Sequence, residues 1–162
     1  MKIRVVSRDF FARIKGTPFE LELLINTKII SINSSDGSDS EPPFSEWLRS
    51  HRHLLTLNFD DIADEPETKS SGKLVAFSPE MAKAIVKFVG DGELPLLIHC
   101  AAGISRSGAV GEVLNWYFNR ILTDNAADYV YFERNNRQII PNALVRKILL
   151  QTLDSSGATL AK

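Results

Sequence analysis

The sequence predicts an α/β fold with a central, mainly parallel sheet of four to five strands flanked by helices. Short runs of apolar and β-branched residues alternate along the chain with segments that carry helix signals, which is the pattern of strands joined by crossover helices. A second observation is the position of the only cysteine, which follows an apolar run and precedes a helix-forming segment. Ligands of parallel sheets bind at the carboxyl ends of the strands, so we expect a functional site around this cysteine.

The amino-terminal half contains three predicted strands separated by polar segments. The strands lie at residues 3–7, 27–32 and 54–59, and polar loops lie at residues 33–43 and 60–73. A short helix is predicted over residues 9–14, ending near Gly16 and Pro18, and a helical turn over residues 45–49.

The carboxyl-terminal half is predicted to be mostly helical. Ser78 is expected to cap a helix that begins at Pro79 and ends at Gly90. A strand at residues 94–98 and helices at residues 109–120, 124–132 and 141–153 follow. We expect a single domain over residues 1–154 and a frayed tail over residues 155–162.

The composition is that of an ordinary soluble domain and excludes several classes of function. The 162 residues are 44% hydrophobic and 24% charged, and the net charge of −1 favours neither nucleic acid nor a membrane as a partner. A lone cysteine cannot form an internal disulfide, and the three histidines show no zinc-site spacing. We therefore expect no metal, no cofactor, a monomer, and a reducing, cytoplasmic compartment.

The cysteine is predicted to be a nucleophile, and the residues around it are predicted to bind an anion. The run is His99-Cys100-Ala101-Ala102-Gly103-Ile104-Ser105-Arg106-Ser107. A short loop between a strand and a helix turns backbone N–H groups inward, and the helix N-terminus adds a partial positive charge. That field favours the thiolate form of Cys100, and the planar donors of Arg106 suit a tetrahedral phosphate. The run therefore predicts attack on a phosphate ester.

The pattern H-C-x5-R-S resembles the signature of the cysteine-dependent protein tyrosine phosphatases, and H-C-A-A-G-I-S-R-S is most similar to their dual-specificity branch. The resemblance extends over roughly residues 54–153, and we interpret the chain as a small, prokaryotic-like member. It implies a dual-specificity phosphatase-like fold and hydrolysis of phosphoric monoesters through a cysteinyl-phosphate intermediate. It also implies a phosphorylated protein or peptide as the substrate.

The resemblance assigns a role to each residue of the run. Cys100 is the nucleophile, His99 orients the loop, and the Ser107 hydroxyl bonds the sulfur and helps it leave in the second step. The phosphoryl group is bound by Arg106 and by the loop residues Ala101, Ala102, Gly103, Ile104 and Ser105.

The leaving group of a phosphate ester needs a proton from a general acid on the opposite side. A loop after a neighbouring strand is the natural place for it, and Leu57-Asn58-Phe59-Asp60-Asp61 supplies two carboxylates there. In the resembling family the acid is an aspartate just past this strand. The match favours Asp61 as the acid, and Asp60 is the second candidate.

A downstream segment, Arg134-Asn135-Asn136-Arg137-Gln138-Ile139-Ile140-Pro141-Asn142, resembles the family's R-x-x-R-x-I-x-P-N pattern. Arg137 and Asn142 match its polar positions, and the resemblance implies that they brace the cysteine loop or contact a distal anion. The alternative is that the arginines simply lie on the surface before a proline turn.

Other functions fit the sequence less well. Gly103-Ile104-Ser105-Arg106-Ser107 nearly matches the G-x-S-x-G elbow of serine hydrolases, but Ser107 replaces the last glycine and no histidine follows His99. Phosphatases for inositol phosphates or RNA 5′ ends tend to carry basic residues where Ala101 and Ala102 stand. A module that binds phosphate without turnover is a further alternative, although this chain keeps the cysteine, the arginine and the acid.

Overall fold

The computed structural model describes residues 1–35, 37, 39, 41–65 and 74–160, with only the backbone of residues 156–160. Four strands form one parallel sheet in the order β1-β4-β2-β3. The strands are β1 (Ile3–Ser7), β2 (Lys28–Asn33), β3 (Leu54–Asn58) and β4 (Leu96–Cys100). The predicted α/β fold class is confirmed. Because all four strands run in the same direction, their carboxyl ends meet at one edge of the sheet.

The helices cover both faces of this sheet. They are α1 (Arg8–Ala12), α2 (Pro18–Asn26), α3 (Pro79–Val89), α4 (Arg106–Trp116), α5 (Ala126–Asn135) and α6 (Ala143–Leu160), with a 3₁₀ turn at Glu46–Leu48 and a π-helical turn at Tyr117–Leu122. One core cluster packs α3, α4, α5 and α6 against one face of the sheet. A smaller cluster on the other face contains Phe11, Leu24, Phe44 and Leu48, all at most 2% exposed.

Most predicted elements lie within a few residues of the observed ones. The cap of α3 is confirmed, since the Ser78 hydroxyl accepts a hydrogen bond from the backbone N–H of Met81 at 3.2 Å. Gly90 follows α3 with φ of 63°, the left-handed conformation that favours glycine. Within the described residues, no helix has both the length and the apolar character needed to cross a membrane.

The sequence analysis missed α2. Pro18 was expected only as the end of the preceding helix, but it occupies the first turn of α2, where its missing N–H has no intrahelical partner to lose. β4 begins and ends two residues later than predicted, so Cys100 is the last residue of the strand. The last helix extends to Leu160 instead of ending at residue 153. Residues 66–73 of the predicted polar loop lie outside the described residues.

Candidate active site

Cys100 lies at the carboxyl end of β4, and the following five residues lead directly into α4. The loop packs closely against β1: a Cβ atom on Gly103 would lie 2.6 Å from the backbone carbonyl of Val6, and Gly103 has φ of 71°. Both facts require glycine at this position. The backbone N–H of Arg8 also donates to the Ala101 carbonyl at 3.2 Å. The sheet therefore fixes the shape of the loop that surrounds the sulfur.

The environment of Cys100 favours the thiolate. Burial acts to raise the pKa of its thiol, because desolvation penalises the charged form. The hydroxyl and backbone N–H of Ser107, with the N–H groups of Ile104 and Gly103, act in the opposite direction and prevail, so the pKa is lowered. The Ser107 Oγ lies 3.0 Å from the Cys100 Sγ. The predicted nucleophile therefore sits beneath convergent donors.

His99 is fully buried beside the loop. Its Nδ1 lies 3.1 Å from the Cys100 carbonyl oxygen, and its Nε2 lies 2.6 Å from the Ser31 hydroxyl. The carbonyl can only accept, so we assign the proton to Nδ1 and the accepting role to Nε2. The side-chain amide N–H of Asn33 donates to the Ser31 hydroxyl oxygen, and the Asn33 side-chain oxygen accepts a hydrogen bond from the Arg8 guanidinium. This chain of contacts holds the imidazole that braces the backbone of the nucleophile.

Desolvation is the main reason why the pKa of His99 is lowered to about 4 from 6.5, and the charges of Arg8 and Arg106 act in the same direction. The folded protein thus keeps His99 neutral in a pH range where the unfolded chain protonates it. Because proton uptake in this range favours the unfolded chain, the free energy of unfolding should decrease as the pH falls from about 6.5 towards 4, by about 3 kcal/mol in total.

The replacement His99→Gln tests this pH dependence. The variant should be less stable than the parent at neutral pH, because the buried network is disturbed, but its stability should fall less steeply between about pH 6.5 and 4. Denaturant unfolding at a series of pH values measures the two slopes. Equal slopes for parent and variant would show that His99 titrates alike in the folded and unfolded chains.

The two candidate acids have different surroundings. Asp60 accepts hydrogen bonds from the backbone N–H and hydroxyl of Ser35, at 3.1 and 2.6 Å, and from the N–H of Val75 at 2.8 Å. Burial acts to raise the pKa of Asp60, but these hydrogen bonds and the charge of Arg106 lower it. A carboxylate whose oxygens both accept hydrogen bonds is a poor proton donor, and Asp60 instead ties three segments together.

Asp61 points to the cysteine loop. Its Oδ1 accepts hydrogen bonds from the Ser105 hydroxyl at 2.8 Å and from the side-chain amide of Asn142 at 2.7 Å. The Asn142 amide also donates to the Ile62 carbonyl at 3.1 Å. The structure therefore brings one of the two predicted carboxylates into direct contact with the loop that follows Cys100.

Arg106 begins α4 and is 7% exposed. Its guanidinium donates to the carbonyl of Phe59 at 2.9 Å, directly before the two aspartates. One terminal nitrogen of the guanidinium makes this contact, which fixes the plane of the group and so the directions of its other N–H donors. The arginine predicted for phosphate binding thus also links the cysteine loop to the end of β3.

The downstream segment braces the cysteine loop through residues that were only partly predicted. Asn142 donates its backbone N–H to the Ser105 carbonyl, and Ile140 donates to the Ile104 carbonyl. The Gln138 side chain donates to the carbonyls of Gly103 and Val5. Arg137 is exposed and lines a cavity of about 750 Å³ between α4, α5 and α6.

The sequence analysis missed several residues of this network, among them Ser31, Asn33 and Gln138. Ser31 was visible as a polar residue between Ile30 and Ile32 of the predicted strand, a signal of a buried polar contact. Asn33 gave no such signal, because it was predicted to begin the polar loop, whereas the structure includes it in β2. Gln138 falls within the downstream motif but at one of its variable positions. Their roles depend on contacts between distant segments.

Comparison with known proteins identifies the fold. No protein-family model and no curated protein sequence matches the chain. Human DUSP28 has a similar structure, with a TM-score of 0.53 and 13% identity over 97% of this chain and 94% of that chain. PTPMT1 in complex with PI(5)P has a TM-score of 0.52 and 12% identity over 98% and 94%. The PTP-2 phosphatase of Cydia pomonella has a TM-score of 0.53 and 17% identity over 92% and 84%. The chain therefore has the fold of these tyrosine and dual-specificity phosphatases.

Proposed function

We propose that the protein is a phosphoric monoester hydrolase that acts through a cysteinyl-phosphate intermediate. The observation that carries this proposal is the lowered thiol pKa of Cys100 beneath the N–H groups of Gly103, Ile104 and Ser107. Arg106 ends the H-C-x5-R run and begins α4, where we propose that it binds the phosphoryl group, and Asp61 contacts the same loop. A nucleophile, an anion site and a carboxyl group are the parts that this reaction needs.

In the first step the thiolate of Cys100 attacks the phosphorus atom and an S–P bond forms. The P–O bond to the leaving group breaks, and the departing oxygen takes a proton from the Asp61 carboxyl group. The N–H groups of the loop and the guanidinium of Arg106 stabilise the negative charge on the phosphoryl oxygens. Because the loop is fixed, these donors are already in position and need no rearrangement.

In the second step water attacks the phosphocysteine. Asp61, now a carboxylate, accepts a proton from the water as the new P–O bond forms. The S–P bond breaks, inorganic phosphate leaves, and the sulfur returns to a thiolate. The Ser107 hydroxyl, 3.0 Å from the sulfur, stabilises the thiolate as it is released. His99 and Asn142 act as supports of the loop.

We propose a phosphorylated protein or peptide as the substrate, acted on by a monomer in the cytoplasm, where the thiol stays reduced. Ala101 and Ala102 leave the loop without basic side chains, which disfavours highly charged inositol phosphates and RNA 5′ ends. Because PTPMT1 binds PI(5)P, a phosphoinositide is the alternative substrate that the test must include.

Initial rates of phosphate release test the function and the substrate class together. The panel is a phosphotyrosine peptide, a phosphothreonine peptide, PI(5)P and a 5′-triphosphorylated RNA, with a Cys100→Ser preparation as the matched control. We expect turnover of a phosphopeptide that the control lacks. Faster turnover of PI(5)P or RNA would overturn the substrate class, and phosphate binding without turnover of any ester would indicate a binding module.

The assignment of the acid is tested by the pair Asp61→Asn and Asp60→Asn. Asp61→Asn should slow turnover of an alkyl phosphate by about 10²-fold or more, the range that general acids contribute. The loss should be smaller for an activated aryl phosphate, since a good leaving group needs little protonation. Asp60→Asn should lack this dependence on the leaving group. If instead Asp60→Asn shows it and Asp61→Asn does not, the acid is Asp60.

A further inference from the structure

The carboxyl group of Asp61 is held asymmetrically, through one of its two oxygens. Oδ1 accepts two hydrogen bonds, from the Ser105 hydroxyl at 2.8 Å and the Asn142 amide at 2.7 Å. Within the described part of the chain, Oδ2 has no hydrogen-bond donor. The side chain itself is exposed, so burial does not dictate its orientation and these two contacts do.

The two donors decide which oxygen carries the proton. An amide N–H can only donate. An ionised carboxylate can only accept, so the Ser105 hydroxyl is also a donor to Oδ1. With both lone-pair directions of Oδ1 occupied by donors, a proton added to Asp61 belongs on Oδ2. The carboxylic acid then presents an O–H group on the side away from Ser105 and Asn142.

We propose that Ser105 is a positioning residue for the general acid. Its hydroxyl and the Asn142 amide both donate to Oδ1 of Asp61 and hold the carboxyl group, so that Oδ2 carries the proton and donates it to the leaving oxygen. This inference rests on the proposed function. Ser105 belongs to the cysteine loop, so its hydroxyl also sets the position of the acid relative to the nucleophile. The resemblance assigns the backbone of Ser105 to phosphate binding, and replacing its Oγ leaves that backbone in place.

Asn142 is less suited than Ser105 to a test by substitution. Its side-chain oxygen accepts a hydrogen bond from the Val145 N–H at 3.0 Å and caps the start of α6, and its amide also bonds the Ile62 carbonyl. Replacing it would therefore disturb a helix end as well as the acid. Among the described residues, the Ser105 hydroxyl contacts only the Asp61 side chain, so its removal changes one interaction.

The readout is the dependence of kcat/KM on the pKa of the leaving group, measured with a series of aryl and alkyl phosphates. Ser105→Ala should slow the alkyl ester by about tenfold more than the activated aryl ester, the size expected from one hydrogen bond to a charged group. Ser105→Thr keeps the hydroxyl and should restore the ratio found for the parent protein.

Ser35→Ala is the matched control. It removes a hydrogen bond from a serine hydroxyl to Asp60, the carboxylate adjacent to Asp61 in sequence. We expect it to keep the parent ratio between alkyl and aryl esters. The proposal is overturned if Ser105→Ala keeps the parent ratio, or if Ser35→Ala changes the ratio as much as Ser105→Ala does. Failure of the proposed function is distinguishable, since then the parent protein itself would not hydrolyse the esters.

Discussion

Replacing Cys100 with serine should abolish phosphate release, by at least ~10⁴-fold, while phosphate binding persists. A serine hydroxyl stays protonated where the thiol ionises, so no nucleophile forms. The donors that bind phosphate, namely the loop N–H groups and Arg106, are untouched by the change. Calorimetry with inorganic phosphate should therefore give an affinity close to that of the parent protein, and single-turnover experiments should yield no phosphorylated enzyme.

The matched control for this experiment is Ser107→Ala. It removes the hydroxyl 3.0 Å from the sulfur but keeps the thiol itself, so it should retain measurable turnover. Turnover of a simple aryl phosphate by folded Cys100→Ser protein, at a rate close to that of the parent, would rule out the covalent mechanism. Loss of phosphate binding in Cys100→Ser would instead show that the loop depends on the sulfur for its shape.

Replacing Arg106 with lysine should lower kcat/KM by about 10³-fold, although the positive charge is kept. The guanidinium is 7% exposed and already donates to the Phe59 carbonyl at 2.9 Å. It can keep that contact and still present two parallel donors to a phosphoryl group, whereas one ammonium group cannot. Both the anchoring to β3 and the paired hydrogen bonds to phosphate should be lost.

Steady-state kinetics of Arg106→Lys measure the loss of kcat/KM, and phosphate titration measures the loss of phosphate affinity. Arg146→Lys is a suitable control, since Arg146 is an exposed arginine of α6 paired with Glu112 at 3.0 Å, and its replacement should leave kcat/KM unchanged. A value for Arg106→Lys within tenfold of the parent would mean that charge alone suffices at this position and that the paired donor geometry is not used.

Local sequence signals predicted the elements that carry the nucleophile. The apolar run before Cys100, the short loop and the following helix each have a signature within about ten residues, because strand propensity, glycine conformation and helix-start signals depend on near neighbours. For the same reason the start of α3 at Ser78 and Pro79 was predicted correctly. The missed helix, α2, shows the limit of these signals, since proline both ends and begins helices.

Two features were decided by contacts that sequence patterns do not encode. Asp60 and Asp61 are adjacent and chemically identical, and only the folded chain shows that one binds Ser35 and the other Ser105. Likewise, Gln138 contacts the cysteine loop, while its neighbour Arg137 faces a cavity between helices.

The sequence by itself therefore determined the α/β class, the position of the cysteine loop and the chemical type of its residues. The family resemblance favoured Asp61, but only the tertiary structure shows that its carboxylate meets that loop and which of its oxygens is held. The contacts responsible join Asp61 to residues 44 and 81 positions away. Such pairs depend on how β3, α4 and α6 pack around the sheet, and packing follows from the burial of the whole core rather than from any local pattern.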